Sequence, residues 1–176
     1  EIRRIHDLLR DAATLAEALD DQRRLGQISD RLCHASWQIG DYGAALDFGQ
    51  RALAISMVLG DVNQQLTTNV NLANTYQALG DYGRAIACCR TAVSLEGVLP
   101  PPPVSPTGRN DVNSRARLSQ CMAELGAFAE GITHGEEGIR MAEARDHPFS
   151  RASTYGSLGH LYLRKGDLPK AISMLE

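Results

Sequence analysis

Apolar residues recur along this chain in steps of three and four. Leu66, Val70, Ala73, Tyr76 and Leu79 form one such series, and Tyr82, Ala85, Ile86, Cys89, Ala92 and Val93 form the next. That spacing gathers side chains onto one stripe of an α-helix, with polar residues left for the opposite face. The stripes stop and restart at a recurring phrase, Gly40-Asp41-Tyr42-Gly43-Ala44-Ala45-Leu46 and again Gly80-Asp81-Tyr82-Gly83-Arg84-Ala85-Ile86. Weaker copies stand at Gly126-Ala127-Phe128 and Gly166-Asp167-Leu168. Glycine ends a helix by turning left-handed without steric cost, and the aspartate after it caps the next helix. Asp20-Asp21, Gly60-Asp61 and Asp146-His147-Pro148 carry similar signals, the last with proline in a first turn, where its missing N–H does no harm. The pattern predicts helices over residues 2–19, 22–39, 42–59, 62–79, 82–97, 111–125, 128–145, 148–165 and 168–176.

The phrase is part of a longer repeat. Its glycines advance by 40, 46 and 40 residues, and Leu32, Leu72, Leu118 and Leu158 each stand eight positions before theirs. Small residues such as Ala45 and Ala85 fall one turn into the second helix, where two axes must approach closely. The expected fold is therefore all-α, a right-handed α-solenoid of antiparallel helix pairs with a pitch of about 40 residues. Residues 1–20 read as the second helix of a repeat whose first is missing. Repeats follow at 21–60, 61–97 and 111–146, with a truncated one at 147–176. Neither end reads as a polar cap, which suits a piece of a longer protein whose apolar ends could self-associate. The six extra residues of the middle interval lie in a proline-rich loop, 98–110, where consecutive prolines must end the helix. Asp111 is placed to cap the helix that resumes. The loop reads either as a connector or as a docking segment for an aromatic groove.

Leu158-Gly159, Tyr162, Gly166-Asp167 and Ala171, with Tyr155 in the place of a tryptophan, resemble the tetratricopeptide repeat. Leu72-Ala73, Tyr76, Gly80-Asp81-Tyr82, Ala85 and Ala92 match it as well. The first copy has Ser36 at the tyrosine position and the third has Met122. The stretch from Arg115 to Gly131, with Gly135-Glu136-Glu137 and Ala144 to Ser150, is similar to the C-terminal repeat region of bacterial signalling proteins. In those, a nucleotide cyclase domain and a P-loop ATPase module precede the array. The resemblance implies a binding or sensing segment that controls such domains. A carboxylate-clamp role, known in one subset of the repeat family, is not implied. Asn71 and Asn74 are placed for it, but the only lysines, Lys165 and Lys170, are not.

Composition narrows the function. Ala (22) and Leu (21) far outnumber Ile (9) and Val (7), which favours helix. Eighteen basic against 21 acidic residues give a net charge of −3, with no basic field for nucleic acid. No apolar run reaches the roughly 20 residues of a membrane helix. Cys33, Cys88, Cys89 and Cys121 are too few and too irregular for a disulfide framework, so a cytoplasmic protein is expected. No phosphate loop, metal-ligand spacing or nucleophile elbow occurs, and neither enzymatic activity nor a cofactor is expected. Gly131, Gly135 and Gly138 share one helix face, each costing about 0.8–1 kcal/mol relative to alanine. Close helix packing explains them, with a hinge or a small-ligand niche as the other readings.

The remaining candidate is the inner groove, lined by the first helix of each pair. Repeat alignment assigns to it Asp30, His34, Trp37 and Gln38, then Val70, Asn71, Asn74 and Gln77. Arg117, Gln120 and Glu124 follow, and then His160 and Arg164. Mixed polar groups around one large aromatic suit a protein partner's peptide or helix, with Trp37 as anchor. The expected function is a non-catalytic interaction scaffold within a signalling protein; a small-ligand sensor or self-association module is the alternative.

Overall fold

The computed structural model describes residues 2–96, 110–144 and 146–176. Among the described residues all regular structure is helical. The helices are α1 (Ile2–Ala18), α2 (Gln22–Ile39), α3 (Tyr42–Val58), α4 (Val62–Ala78), α5 (Tyr82–Glu96), α6 (Asn110–Glu124), α7 (Phe128–Ala144), α8 (Pro148–Lys165) and α9 (Leu168–Leu175). Each end falls within one residue of the range that the apolar spacing predicts. The proline-rich loop, apart from the backbone of Asn110, and the cap expected at Asp111 lie outside the described residues.

The turns show why the helices stop where they do. Asp20, Gly40, Gly60, Gly80, Gly126, Asp146 and Gly166 all have φ between 46° and 85°. They recur every twenty residues except across the proline-rich interval, so the length unit is one helix with its turn. Aspartate, among L-residues, tolerates this conformation comparatively well, which lets Asp20 and Asp146 stand where the other turns use glycine. The following residue then caps. Asp21, Asp41, Asp61, Asp81 and Asp167 accept the backbone N–H three positions on, at 3.0–3.3 Å. His147 does the same through Nδ1, from Ser150 N at 3.2 Å. Each such cap contributes about 1 kcal/mol.

The chain forms two compact units, residues 1–80 and 81–176. In the first, α1 packs its inner row on α2, where Ala13, Ala16, Leu25 and Leu32 form a core closed by Leu9, Ile28, Phe48 and Ile55. His6 Nε2 meets Ser36 Oγ at 3.2 Å across that contact. An adjacent row on α1, Ile5, Leu8, Leu15 and Leu19, is exposed. Helix α3 lies against both α2 and α4. A Cβ on Gly49 would come within 2.5 Å of Leu72 and 3.0 Å of Cys33 Sγ, so glycine sets that approach.

In the second unit, Ala123, Leu158, Leu161, Tyr162 and Ala171 make a core under α6, α8 and α9. The glycine face of α7 packs onto α8. A Cβ on Gly131 would lie 2.5 Å from Leu161, on Gly135 2.9 Å from Leu158, and on Gly138 3.1 Å from Thr154. Close packing is thus what the three glycines provide. The space considered for a small ligand is filled by those side chains. Arg115, on α6, pairs with Glu96 of α5 and, at 3.1 Å, with Glu137 of α7. Its side chain and that of Glu96 are nearly enclosed, so the guanidinium joins three helices as a buried ion bridge.

Candidate partner-binding faces

The predicted groove residues fall into two sets, one in each unit. In the first, α2 and α4 place Asp30, His34, Trp37 and Gln38 beside Asn71, Asn74 and Gln77. Asp30 is only 8% exposed. Its Oδ1 accepts from Thr68 Oγ1 at 2.9 Å and from Asn71 Nδ2 at 3.0 Å. These bonds tie α2 to α4, while burial holds the carboxyl above the usual carboxylate value against the opposing pull of Asn71 and Thr68. One turn on, the His34 ring tilts against Trp37, with centroids 5.5 Å apart. Trp37, Asn74 and Gln77 are half-buried and Gln38 is exposed. A half-buried tryptophan beside neutral amides suits recognition of a peptide, since the indole offers apolar area and amides pair with a main chain.

In the second unit the set is ionic. Arg117 Nη1 donates to Gln120 Oε1 at 2.9 Å, and burial pulls its guanidinium below the ordinary value. Glu124 stands between the imidazole of His160, Nε2 at 2.7 Å from Oε1, and the guanidinium of Arg164, Nη2 at 3.0 Å from Oε2. The structure therefore joins Arg117 to Gln120 and, through Glu124, His160 to Arg164. Thr68, the second anchor of Asp30, escaped the sequence reading. Its only signal is its place three residues before Asn71, on the same face of α4. The partnership of Arg115 with Glu96 left no signal, because 19 residues separate them.

The four thiols are not activated. Burial pushes the thiols up, Cys33 to about 12 and Cys88 and Cys121 to about 11, and Cys89 also rises. Protonated thiols are poor nucleophiles and poor metal ligands. Among the described residues, no group of three or more His, Cys, Asp or Glu could hold a metal, and no helix is long and apolar enough to cross a membrane.

Comparison with known proteins agrees with the helical-repeat fold. Residues 66–97 match the tetratricopeptide repeat family. The chain is 28% identical over 143 residues to the 43 kDa receptor-associated protein of the synapse from Tetronarce californica. That alignment covers 80% of this chain and 33% of the relative, so the chain spans about a third of that protein's length. Among solved structures, BtubC (BKLC) from P. vanneervenii superposes with a TM-score of 0.80 at 21% identity, over 99% of this chain and 70% of the other. A signal transduction ATPase with numerous domains from Pyrococcus horikoshii, described as carrying a tetratricopeptide repeat sensor, gives 0.77 at 18% identity over 99% of this chain and 27% of that one.

Proposed function

We propose that this chain, whose helix pairs resemble tetratricopeptide repeats, is a non-catalytic scaffold that docks a peptide or helix of a protein partner, or of its own upstream domains. On this reading the repeats run 21–60, 61–97, 111–146 and 147–176, and the protein works in the cytoplasm, where its free thiols persist. The observation that carries the proposal is the face of α2 and α4. There a buried tie from Asp30 to Thr68 and Asn71 fixes two neighbouring helices, two turns along α2 from a half-buried tryptophan. Such preorganisation lowers the entropy cost of binding, and a tryptophan in a partly desolvated setting is the usual kind of anchor. The sensor described for the Pyrococcus horikoshii ATPase supports a regulatory place for the array in a larger signalling protein.

A peptide-array screen tests this reading, with Trp37→Ala and Asn74→Ala as probes. Each substitution is expected to weaken the selected peptides about 10-fold or more, the size of an anchor residue's contribution. Both variants binding like the wild type, with melting unchanged, would refute it. Self-association is the second reading, supported by the exposed row Ile5, Leu8, Leu15 and Leu19 of α1. Light scattering against concentration tests that; a strict monomer, unaffected by Leu8→Glu with Leu15→Glu, removes it.

A further inference from the structure

The two oxygens of Asp30 have unequal surroundings. Oδ1 takes both hydrogen bonds, from Thr68 and Asn71. Oδ2 takes neither, and the residue keeps 8% of its surface exposed. The donors that fix this carboxylate are neutral. Helix α4, the facing wall, carries no acidic or basic side chain from Val62 to Ala78. His34 and Arg31 of α2 act on Asp30 through space, but neither forms an ion pair with it. The carboxyl is therefore held by neutral groups at a site mostly removed from water, where burial raises its pKa and an incoming cation favours its ionised form. Two turns along the same helix stands Trp37, stacked with His34.

We infer that this face recognises a cationic side chain, an arginine or lysine of the partner segment, with Asp30 as its counter-ion and Trp37 packing on the adjoining residue. The inference rests on the peptide-docking reading above and names the partner's chemistry. A charge-assisted hydrogen bond in such a place is stronger than a neutral one and far less screened than a surface pair. An acidic segment would meet a fixed carboxylate and be rejected. Neutral segments lose the bond and leave Oδ2 without a partner.

Trp37 is the single tryptophan of the chain, so its emission reports this face alone. The test uses a positional-scanning library of dodecapeptides, acetylated and amidated at their ends. One fixed position carries Arg, Lys, citrulline, norleucine or Glu. Binding is followed by Trp37 emission and by the anisotropy of labelled peptides. Arg and Lys pools are expected to bind roughly 10- to 100-fold tighter than citrulline or norleucine pools, with Glu pools weakest. Asp30→Asn keeps an acceptor for Thr68 and Asn71 and removes only the charge; it is expected to erase that preference. Pools that shift Trp37 emission without regard to charge overturn the cation site and leave the peptide face standing, as does an Asp30→Asn protein that keeps the preference. If no pool moves Trp37 emission, both readings fall. The wild-type arm decides the charge question even if the variant proves unstable.

Discussion

Both units use ion pairs, Arg51 with Glu17 and Arg23 with Asp61 in the first, but the contact of α2 with α4 rests on neutral donors where that of α6 with α8 rests on an ion pair. Between α2 and α4, Asp30 is held by a threonine and an asparagine, and between α1 and α2 a histidine meets a serine. Between α5, α6 and α7 the link is Arg115 with Glu96 and Glu137, and between α6 and α8 it is Glu124 with His160 and Arg164. The repeat positions correspond. His34, Asn74, Gln120 and His160 each stand six residues before their glycine. One scaffold position thus takes an amide or an ionisable group without altering the fold, which is set by the apolar stripe behind it. Charge neutralised by a partner is no longer available to a ligand. Charge held by neutral donors is, and the cation site proposed for the first unit relies on that difference.

The sharpest way to test this contrast is to remove one linker from each unit. Arg115→Ala strands Glu96 in a nearly enclosed site and is expected to cost about 3–5 kcal/mol. Thr68→Val removes a neutral donor from Asp30, which keeps Asn71, and is expected to cost about 1.5–3 kcal/mol. Urea unfolding measures both, with far-ultraviolet dichroism reporting the helices of both units and Trp37 emission the first. Equal losses would erase the distinction between ionic and neutral linkers. A comparable effect is expected at the glycines. Gly135→Val drives methyl groups into Leu158 and Ser119 and should lose about 1–3 kcal/mol by overpacking. Gly43→Ala meets only ordinary contact with Asp41, on the exposed side of α3, and should gain up to about 1 kcal/mol from helix propensity. A stabilising Gly135→Val would show that α7 does not need its close approach to α8.

The smallest effect is a pH dependence confined to the second unit. Burial holds His134 below its ordinary value of 6.5, against the pull of Glu130 and Glu137. For a base whose folded value is depressed, the unfolded chain binds the proton first. Its contribution is therefore complete above 6.5 and declines as pH falls below it. Melting followed by dichroism should drop from pH 7 downward by more in the wild type than in His134→Gln, while the Trp37 signal follows the same course in both. Identical pH profiles by dichroism would remove His134 as the cause.

Much of this was legible beforehand, for local reasons. Apolar steps of three and four, glycine with its left-handed turn and aspartate with its cap act within a few residues, so the helix ends lie close to their expected places. The groove residues were legible only as positions on a repeat. Their chemistry was not, because it depends on neighbours far along the chain: Thr68 and Asn71 for Asp30, Leu158 and Leu161 for the α7 glycines, Glu96 for Arg115. Asp30, expected to line the inner groove for a partner, proves to be mostly enclosed and to tie two helices together.

By itself, then, the sequence determined the helices, their twenty-residue rhythm and the repeat family they resemble, since these follow from local backbone preference and from which side chains avoid water. Only the tertiary structure decided which polar groups cancel one another and which remain available to a partner. Hydrogen bonds and ion pairs act over a few ångströms in space, and the chain order does not reveal which residues folding will bring that close.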